Sequence, residues 1–314
     1  MARGPRLASD GGQVVTWLYS EPVPLRLSRT AYRRVARLAQ GALVGIVLTG
    51  SWVRLTGSGL GCSDWPECNE ERFVDVSSWH AAIEQVNRLL TGVVAVAVVL
   101  AALGAYLVRP TTRSIKVLAG LLVVGVAAQV VIGAYVVWTG LNPWSNMVHF
   151  LVSAVLVVLS TSLVRHCGDS DARVEPTPAI RRTALVYAVG SSIAIVTGTF
   201  VTGSGPHAGD EDAIRLGFDI PQVVRIHSVT VWITLAALIL LARSVRRSAQ
   251  EPLYGAVSTT IGILLAQGFV GYVQYFADIP AALVALHIAG SIAVTIVSTN
   301  LVSRCLGFGG RARA

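Results

Sequence analysis

Residues 128–149 read AQVVIGAYVVWTGLNPWSNMVH, and residues 266–287 read AQGFVGYVQYFADIPAALVALH. Three positions recur in register, each pair 138 residues apart: Gln129 with Gln267, Gly133 with Gly271 and His149 with His287. A shared dipeptide in apolar sequence carries little information, but a glutamine and a histidine 20 residues apart in both copies mark a repeat. Upstream, Thr56-Gly57-Ser58-Gly59 matches Thr202-Gly203-Ser204-Gly205 at an offset of 146. Each copy spans the end of one apolar run and the start of the next, so the chain reads as two equivalent halves.

Working outward, eight apolar runs cover residues 35–55, 83–107, 115–138, 145–165, 182–202, 221–243, 255–276 and 280–302. Crossing a bilayer takes ~20 residues, and a lipid-embedded backbone has no water to bond, so every run should be a helix. The composition agrees. Of 314 residues, 53% are hydrophobic and 13% charged, against about 25% charged in soluble domains, which excludes a soluble enzyme. Four runs per half is an even number, so both halves enter the membrane from the same side, as parallel repeats about an axis along its normal. The expected fold is an all-α polytopic membrane protein, with eight transmembrane helices forming two parallel, pseudo-symmetric four-helix bundles. Its parts would be an N-terminal segment 1–34, a first half 35–165, a linker 166–181, a second half 182–302 and a tail 303–314.

The net charge of +8 raises nucleic acid as a partner, but the placement of the charge speaks for membrane orientation instead. Arginines crowd the segment before the first run (Arg26, Arg29, Arg33, Arg34, Arg37) and recur after the second, fourth, sixth and eighth. The opposite loops hold Arg72 and Arg215 among many carboxylates, including Asp64, Glu67, Asp75, Asp210 and Asp278. By the positive-inside rule a cell membrane protein so patterned has both termini in the cytoplasm. The first run is long and lacks a small-residue cleavage pattern, so it is expected to be a signal anchor; Arg33-Arg34 is not read as a twin-arginine signal. Trp52, Trp65, Trp79, Trp138 and Trp144 lie in or beside the outer loops, as an interfacial belt does.

Ionisable residues inside membrane helices are rare and usually functional. Three histidines qualify, His149, His227 and His287, all near the outer helix ends. Aligning residues 84–88 with 224–228 at an offset of 140 makes Asn87 the counterpart of His227. The halves then present Asn87 with His149, and His227 with His287. A lone buried histidine is usually a core residue, but two meeting at equivalent places of a four-helix half suggest a ligand pair. Facing imidazoles in an apolar bundle suit a haem, whose iron takes axial ligands on both faces. Zinc competes, but needs three or four ligands, and no third histidine or thiol joins either pair. A proton-relay or helix-bridging role, shared with Glu84 and Asn87, is the bland alternative.

The halves differ. His227 and His287 fill both axial positions and would hold and pass an electron. Opposite His149 stands Asn87, a poor iron ligand, and Glu84 has Val224 as its counterpart. An open axial position near a carboxylate suits oxygen chemistry. Glu84 lies three residues before Asn87 on one helix face; its structural alternative is an ion pair with Arg88 or Arg54. His80 reads as interfacial rather than as a ligand. Cys62 and Cys68 flank an outer-loop segment where an oxidising compartment permits a disulfide, whereas Cys167 and Cys305 should be reduced. The run Gly57-Ser58-Gly59-Leu60-Gly61 follows a membrane helix rather than a strand, so it is not a nucleotide loop.

These residues resemble the haem A synthase family. The matching features are residues 50–60 (GSWVRLTGSGL), the Cys62 to Cys68 segment with Asp64-Trp65-Pro66, Glu84-x-x-x-Arg88, Gly203-Ser204-Gly205-Pro206-His207-Ala208-Gly209-Asp210, and His149, His227 and His287. The resemblance implies oxidation of the C8 methyl of haem O to the formyl of haem A, for terminal oxidase assembly. It also implies a haem B held by His227 and His287, and substrate haem in the first half beside Glu84, Asn87 and His149, with the cysteine pair nearby. Partners would be the haem O synthase that supplies the substrate, an electron donor and the lipid bilayer, with no nucleic acid; a homo-oligomer is compatible with this. The departure is Asn87, where the family's usual pattern has histidine. Because Glu84, Arg88, His149 and the cysteine pair remain, the expectation is a first half that works with a single axial ligand. A non-catalytic haem B electron carrier or haem chaperone is the alternative, and a transporter with parallel repeats the third reading.

Overall fold

A computed structural model describes residues 26–168 and 174–307. Among them are eight helices long and apolar enough to cross a membrane: α1 (Arg29–Leu55), α2 (Trp79–Leu107), α3 (Arg113–Trp138), α4 (Pro143–His166), α5 (Pro178–Ser204), α6 (Ile220–Arg247), α7 (Tyr254–Phe276) and α8 (Ala281–Leu306). The shortest has 23 residues and the longest 29. At 1.5 Å per residue even the shortest spans about 35 Å, enough for a hydrocarbon core of about 30 Å. The protein is an all-α, multi-pass membrane protein.

Helix ends are set by caps rather than by hydropathy, which is why several lie outside the apolar runs. The Ser28 hydroxyl accepts from the Ala31 N–H at 3.1 Å, starting α1 well before residue 35. Arg29, Arg33, Arg34 and Arg37 follow as good helix formers. Likewise Ser78 accepts from the Ala81 N–H at 3.0 Å, so α2 begins at Trp79 and takes His80 into its first turn. Asp219 caps α6, whose first turn holds Pro221. A two-residue parallel pair, Leu27–Ser28 with Val108–Arg109, ties the start of α1 to the exit of α2.

Each half closes as a ring of antiparallel neighbours, α1–α2–α3–α4 and α5–α6–α7–α8. Between halves, α4 packs on α5 and α8 on α1, contacts that exchange under the repeat, while the α4–α8 contact maps onto itself. The pseudo-twofold axis therefore runs between α4 and α8. The two apolar cores occupy corresponding ends of the halves. One holds Tyr32, Ala36, Val98, Ala101, Ile115 and Leu163, the other Ile180, Tyr187, Leu238, Leu241, Leu253 and Leu301. Both buried tyrosine hydroxyls find partners, Tyr32 donating to the Ala101 carbonyl at 2.9 Å and Tyr187 lying 2.6 Å from Ser298 Oγ. The opposite end carries Glu84, Asn87 and His149 in the first ring and His227 and His287 in the second.

Candidate functional site

In the second half, α6 and α8 bring His227 and His287 face to edge, with ring centres 6.4 Å apart and planes at 84°. His287 lies six residues beyond the start of α8, about 9 Å along its axis. Glycines make room for both rings. A methyl added at Gly271 would come within 3.0 Å of His287 Cε1, and one at Gly198 within 3.2 Å of His227 Cε1. Each Nδ1 is engaged: Thr197 Oγ1 lies 3.1 Å from that of His227, and Gln267 Nε2 lies 3.0 Å from that of His287 while also donating to its carbonyl at 2.7 Å. The Thr197 hydroxyl can accept from the Nδ1–H of His227, which fixes that ring and leaves its Nε2 for a metal, whereas Gln267 Nε2 donates to His287 Nδ1 and fixes that ring from the opposite side of the hydrogen bond. Two metal–imidazole bonds of about 2 Å, plus the reach from each nitrogen to its ring centre, amount to about 6 Å. The 6.4 Å between ring centres is of that size, so His227 and His287 are the residues that would hold a metal-centred group such as a haem. Zinc lacks its remaining ligands, since among the described residues no group of three or more His, Cys, Asp or Glu could hold a metal ion.

The first half repeats this frame with two changes. Thr49 and Gly50 stand where Thr197 and Gly198 do, and Asn87 replaces His227: the Thr49 hydroxyl donates to Asn87 Oδ1 at 2.8 Å. With its oxygen so engaged, Asn87 offers an amide nitrogen, which donates hydrogen bonds and does not ligate iron. Gly133 faces His149 as Gly271 faces His287. Gln129 donates to the His149 carbonyl at 2.9 Å, but its Nε2 also goes to Ser153 Oγ, and His149 Nδ1 is buried with no hydrogen-bond partner among the described residues. One difference accounts for this. Gly290, beside which Gln267 lies so closely that any Cβ there would collide with its amide, has Val152 as its counterpart.

Glu84 is buried and fully engaged. Its Oε1 accepts from Arg88 Nε at 3.1 Å and Nη2 at 2.6 Å, and its Oε2 accepts from the Cys62 N–H at 2.7 Å. Arg88 in turn donates from Nη1 to the Asp64 and Glu67 carbonyls at 2.8 and 3.0 Å. The structure therefore brings Glu84 to Arg88 and through it to the loop between α1 and α2. That loop contains the Cys62–Cys68 disulfide, which is formed, with Cα atoms 4.4 Å apart. Close approach of the loop to α2 needs Gly61, since a Cβ there would strike the His80 backbone. His80 itself meets Ser58, with Nδ1 2.9 Å from the hydroxyl.

Two sequence readings shift. Thr56-Gly57-Ser58-Gly59 forms the turn after α1, with Gly57 at φ +66°, whereas Thr202, Gly203 and Ser204 belong to the last turn of α5. The helical register instead pairs Thr49-Gly50 with Thr197-Gly198 at an offset of 148. Those threonines and glycines escaped the sequence reading, although the recurring Thr-Gly dipeptide was visible in it. Gln129, Gln267, Gly133 and Gly271, seen there only as repeat markers, prove to be the residues that hold and seat the histidines.

The sequence profile of the cytochrome oxidase assembly protein family matches residues 33–81 and 74–299. The chain is 30% identical over 165 residues to the heme A synthase of Listeria welshimeri, covering 50% of this chain and 53% of that protein. It is 33% identical over 133 residues to the heme A synthase of Lysinibacillus sphaericus, covering 40% and 43%. With that of Geobacillus thermodenitrificans it shares 32% over 127 residues, covering 39% and 40%. These alignments span about half the length of the curated relatives.

Proposed function

The chain belongs to the haem A synthase family, and on that premise we propose that it oxidises the C8 methyl of haem O to the formyl of haem A. The observation that carries this reading is the His227–His287 pair, 6.4 Å apart, each ring seated on a glycine and engaged at Nδ1. Those residues would hold a haem B, which supplies one-electron redox chemistry when bound. With both His227 and His287 holding it, such a group would pass electrons from a donor rather than bind oxygen.

The first half takes haem O as substrate. His149 would be the one imidazole to hold it, while Asn87, one turn of α2 from Glu84, would not ligate its iron. Two successive hydroxylations of the methyl carbon, each consuming one dioxygen, two protons and two electrons from the donor and releasing one water, followed by loss of water from the gem-diol, would give the formyl. Glu84 steers protons or substrate, and its bonds to Arg88 and the Cys62 N–H fix the loop at the rim of the site. The haem O synthase is the natural supplier of the substrate. In this reading the chain sits in the cell membrane with both termini cytoplasmic, as the arginine distribution indicates.

Asn87 favours one second reading, a haem B carrier or chaperone whose first half performs no chemistry. Expression in a bacterium that makes haem O but not haem A separates the two, with haems identified by chromatography and mass. Haem A in the wild type, lost in Glu84→Gln with the disulfide intact, supports the synthase. Haem B and unchanged haem O alone, in a folded red protein, mean the carrier. His227→Ala and His287→Ala should each abolish the low-spin haem spectrum; if both retain it, the ligand pair is wrong.

A further inference from the structure

Arg54 lies in the last turn of α1, at the end of the molecule that carries the disulfide loop. Its guanidinium leaves its own half: Nη2 donates to the Thr202 carbonyl, in the last turn of α5, at 2.7 Å. Nε is buried with no hydrogen-bond partner among the described residues. The ion pairs among those residues are Arg72 with Asp75 and Arg88 with Glu84, so neither brings a carboxylate to Arg54. The charged group that acts on it is Arg215, a like charge, whose own donors go to the Ala213 and Pro206 carbonyls. A helix C-terminus favours a cation, which together with the Thr202 bond accounts for one edge of the guanidinium and leaves Nε unused. Arginine stays charged at any physiological pH, and a buried charge without an opposite partner is costly.

Thr202 lies four residues, about 6 Å, beyond Gly198 on α5, and Gly198 is the glycine that seats His227. Arg54 is therefore held one turn nearer the helix end than the seat of the His227–His287 pair. The second half has no arginine of its own at this place. In register with Arg54 stands Thr202, at the same offset of 148 that pairs Gly50 with Gly198. A haem carries carboxylate side chains, and a guanidinium fork matches a carboxylate in charge and in its parallel bonds. We propose that Arg54, from the first half, holds a carboxylate side chain of the haem bound by His227 and His287. This rests on the haem reading above and adds a cation supplied across the junction of the halves. Arg54 thereby makes haem retention in the second half depend on the end of α1.

The test uses the full chain, made without haem and loaded with iron protoporphyrin IX or with its dimethyl ester, in which the carboxylates are blocked. The low-spin signal is followed as each compound is added. The wild type should bind the acid about tenfold more tightly than the ester, as loss of one charged hydrogen-bonded contact implies. Arg54→Gln should lose most of that preference and keep the low-spin signal, since the histidine pair is untouched, while Arg72→Gln should retain both. Reading a ratio of two compounds cancels any general loosening of the fold. Where Arg54→Gln does not fold, Arg54→Lys keeps the charge without the planar fork and should cut the preference about threefold. An unchanged preference in whichever Arg54 variant folds, an equal loss in Arg72→Gln, or equal binding of acid and ester by the wild type overturns the role of Arg54. Absence of any low-spin signal from the wild type overturns the haem reading itself, and the role of Arg54 falls with it.

Discussion

At the scale of single residues, the halves differ by very few atoms. Thr49 already stands where Thr197 stands, so a histidine at residue 87 would meet a ready partner for its Nδ1. Asn87→His should therefore create a second low-spin haem site in the folded protein, seen as a doubled low-spin signal per chain. A separate expectation concerns Cys167, buried just after α4. Burial pushes its thiol up to about 12, against the opposing pull of Arg29 and Arg33. Since the thiolate is the reactive form, Cys167 should resist maleimide at pH 8 in the folded protein and react on unfolding. Labelling at the rate of a free cysteine would show the site to be open.

Among elements, the loop between α1 and α2 depends on one ion pair. Arg88 and Glu84 side chains are 15% and 7% exposed, and they hold the loop through the Cys62 N–H and the Asp64 and Glu67 carbonyls. Removing one partner of such a pair leaves a buried charge uncompensated, at a cost of about 3 kcal/mol or more. Arg88→Ala should thus lower the melting temperature substantially and speed reduction of Cys62–Cys68. The double variant Glu84→Ala/Arg88→Ala should lose less than the single changes summed. Opening the disulfide alone, by Cys62→Ser/Cys68→Ser, should cost about 2 kcal/mol from its short loop. Those magnitudes rank the ion pair above the disulfide as the support of this loop.

Over the whole molecule, the halves are clasped at the disulfide end of the pseudo-axis. At the disulfide end Arg54 donates to the Thr202 carbonyl at 2.7 Å, and the Gly59 N–H donates to the Gly209 carbonyl at 2.8 Å. Gly59 is required there, since a Cβ would stand 3.1 Å from that carbonyl and 2.9 Å from Leu141. The antiparallel rings place the loops containing Asp75 and Asp210 on one side of the bilayer and Thr111 and Ala249 on the other. Cysteines introduced at Asp75 or Asp210 should label with an impermeant thiol reagent on intact cells, and those at Thr111 or Ala249 only after lysis. The reverse pattern would invert the orientation read from the arginines.

The sequence by itself determined the number of spans and the repeat, and singled out Glu84, Asn87, His149, His227 and His287 as polar residues in apolar helices. Hydropathy, an even helix count and polar residues in apolar helices are local signals that need no contacts to be read. Helix starts were less legible, because a serine cap and a few arginines extend a helix without adding apolar residues, as at Ser28. Tertiary structure alone decided what those side chains touch. It paired Thr49-Gly50 with Thr197-Gly198, a register two residues from the one the Thr-Gly-Ser-Gly copies suggested. It brought Glu84 to the Cys62 N–H, and it left His149 Nδ1 without the glutamine that its counterpart has. These depend on which helix faces meet and on whether a Cβ intervenes, as Val152 does where Gly290 does not. Such distances are set between residues far apart in the chain, and no local pattern encodes them.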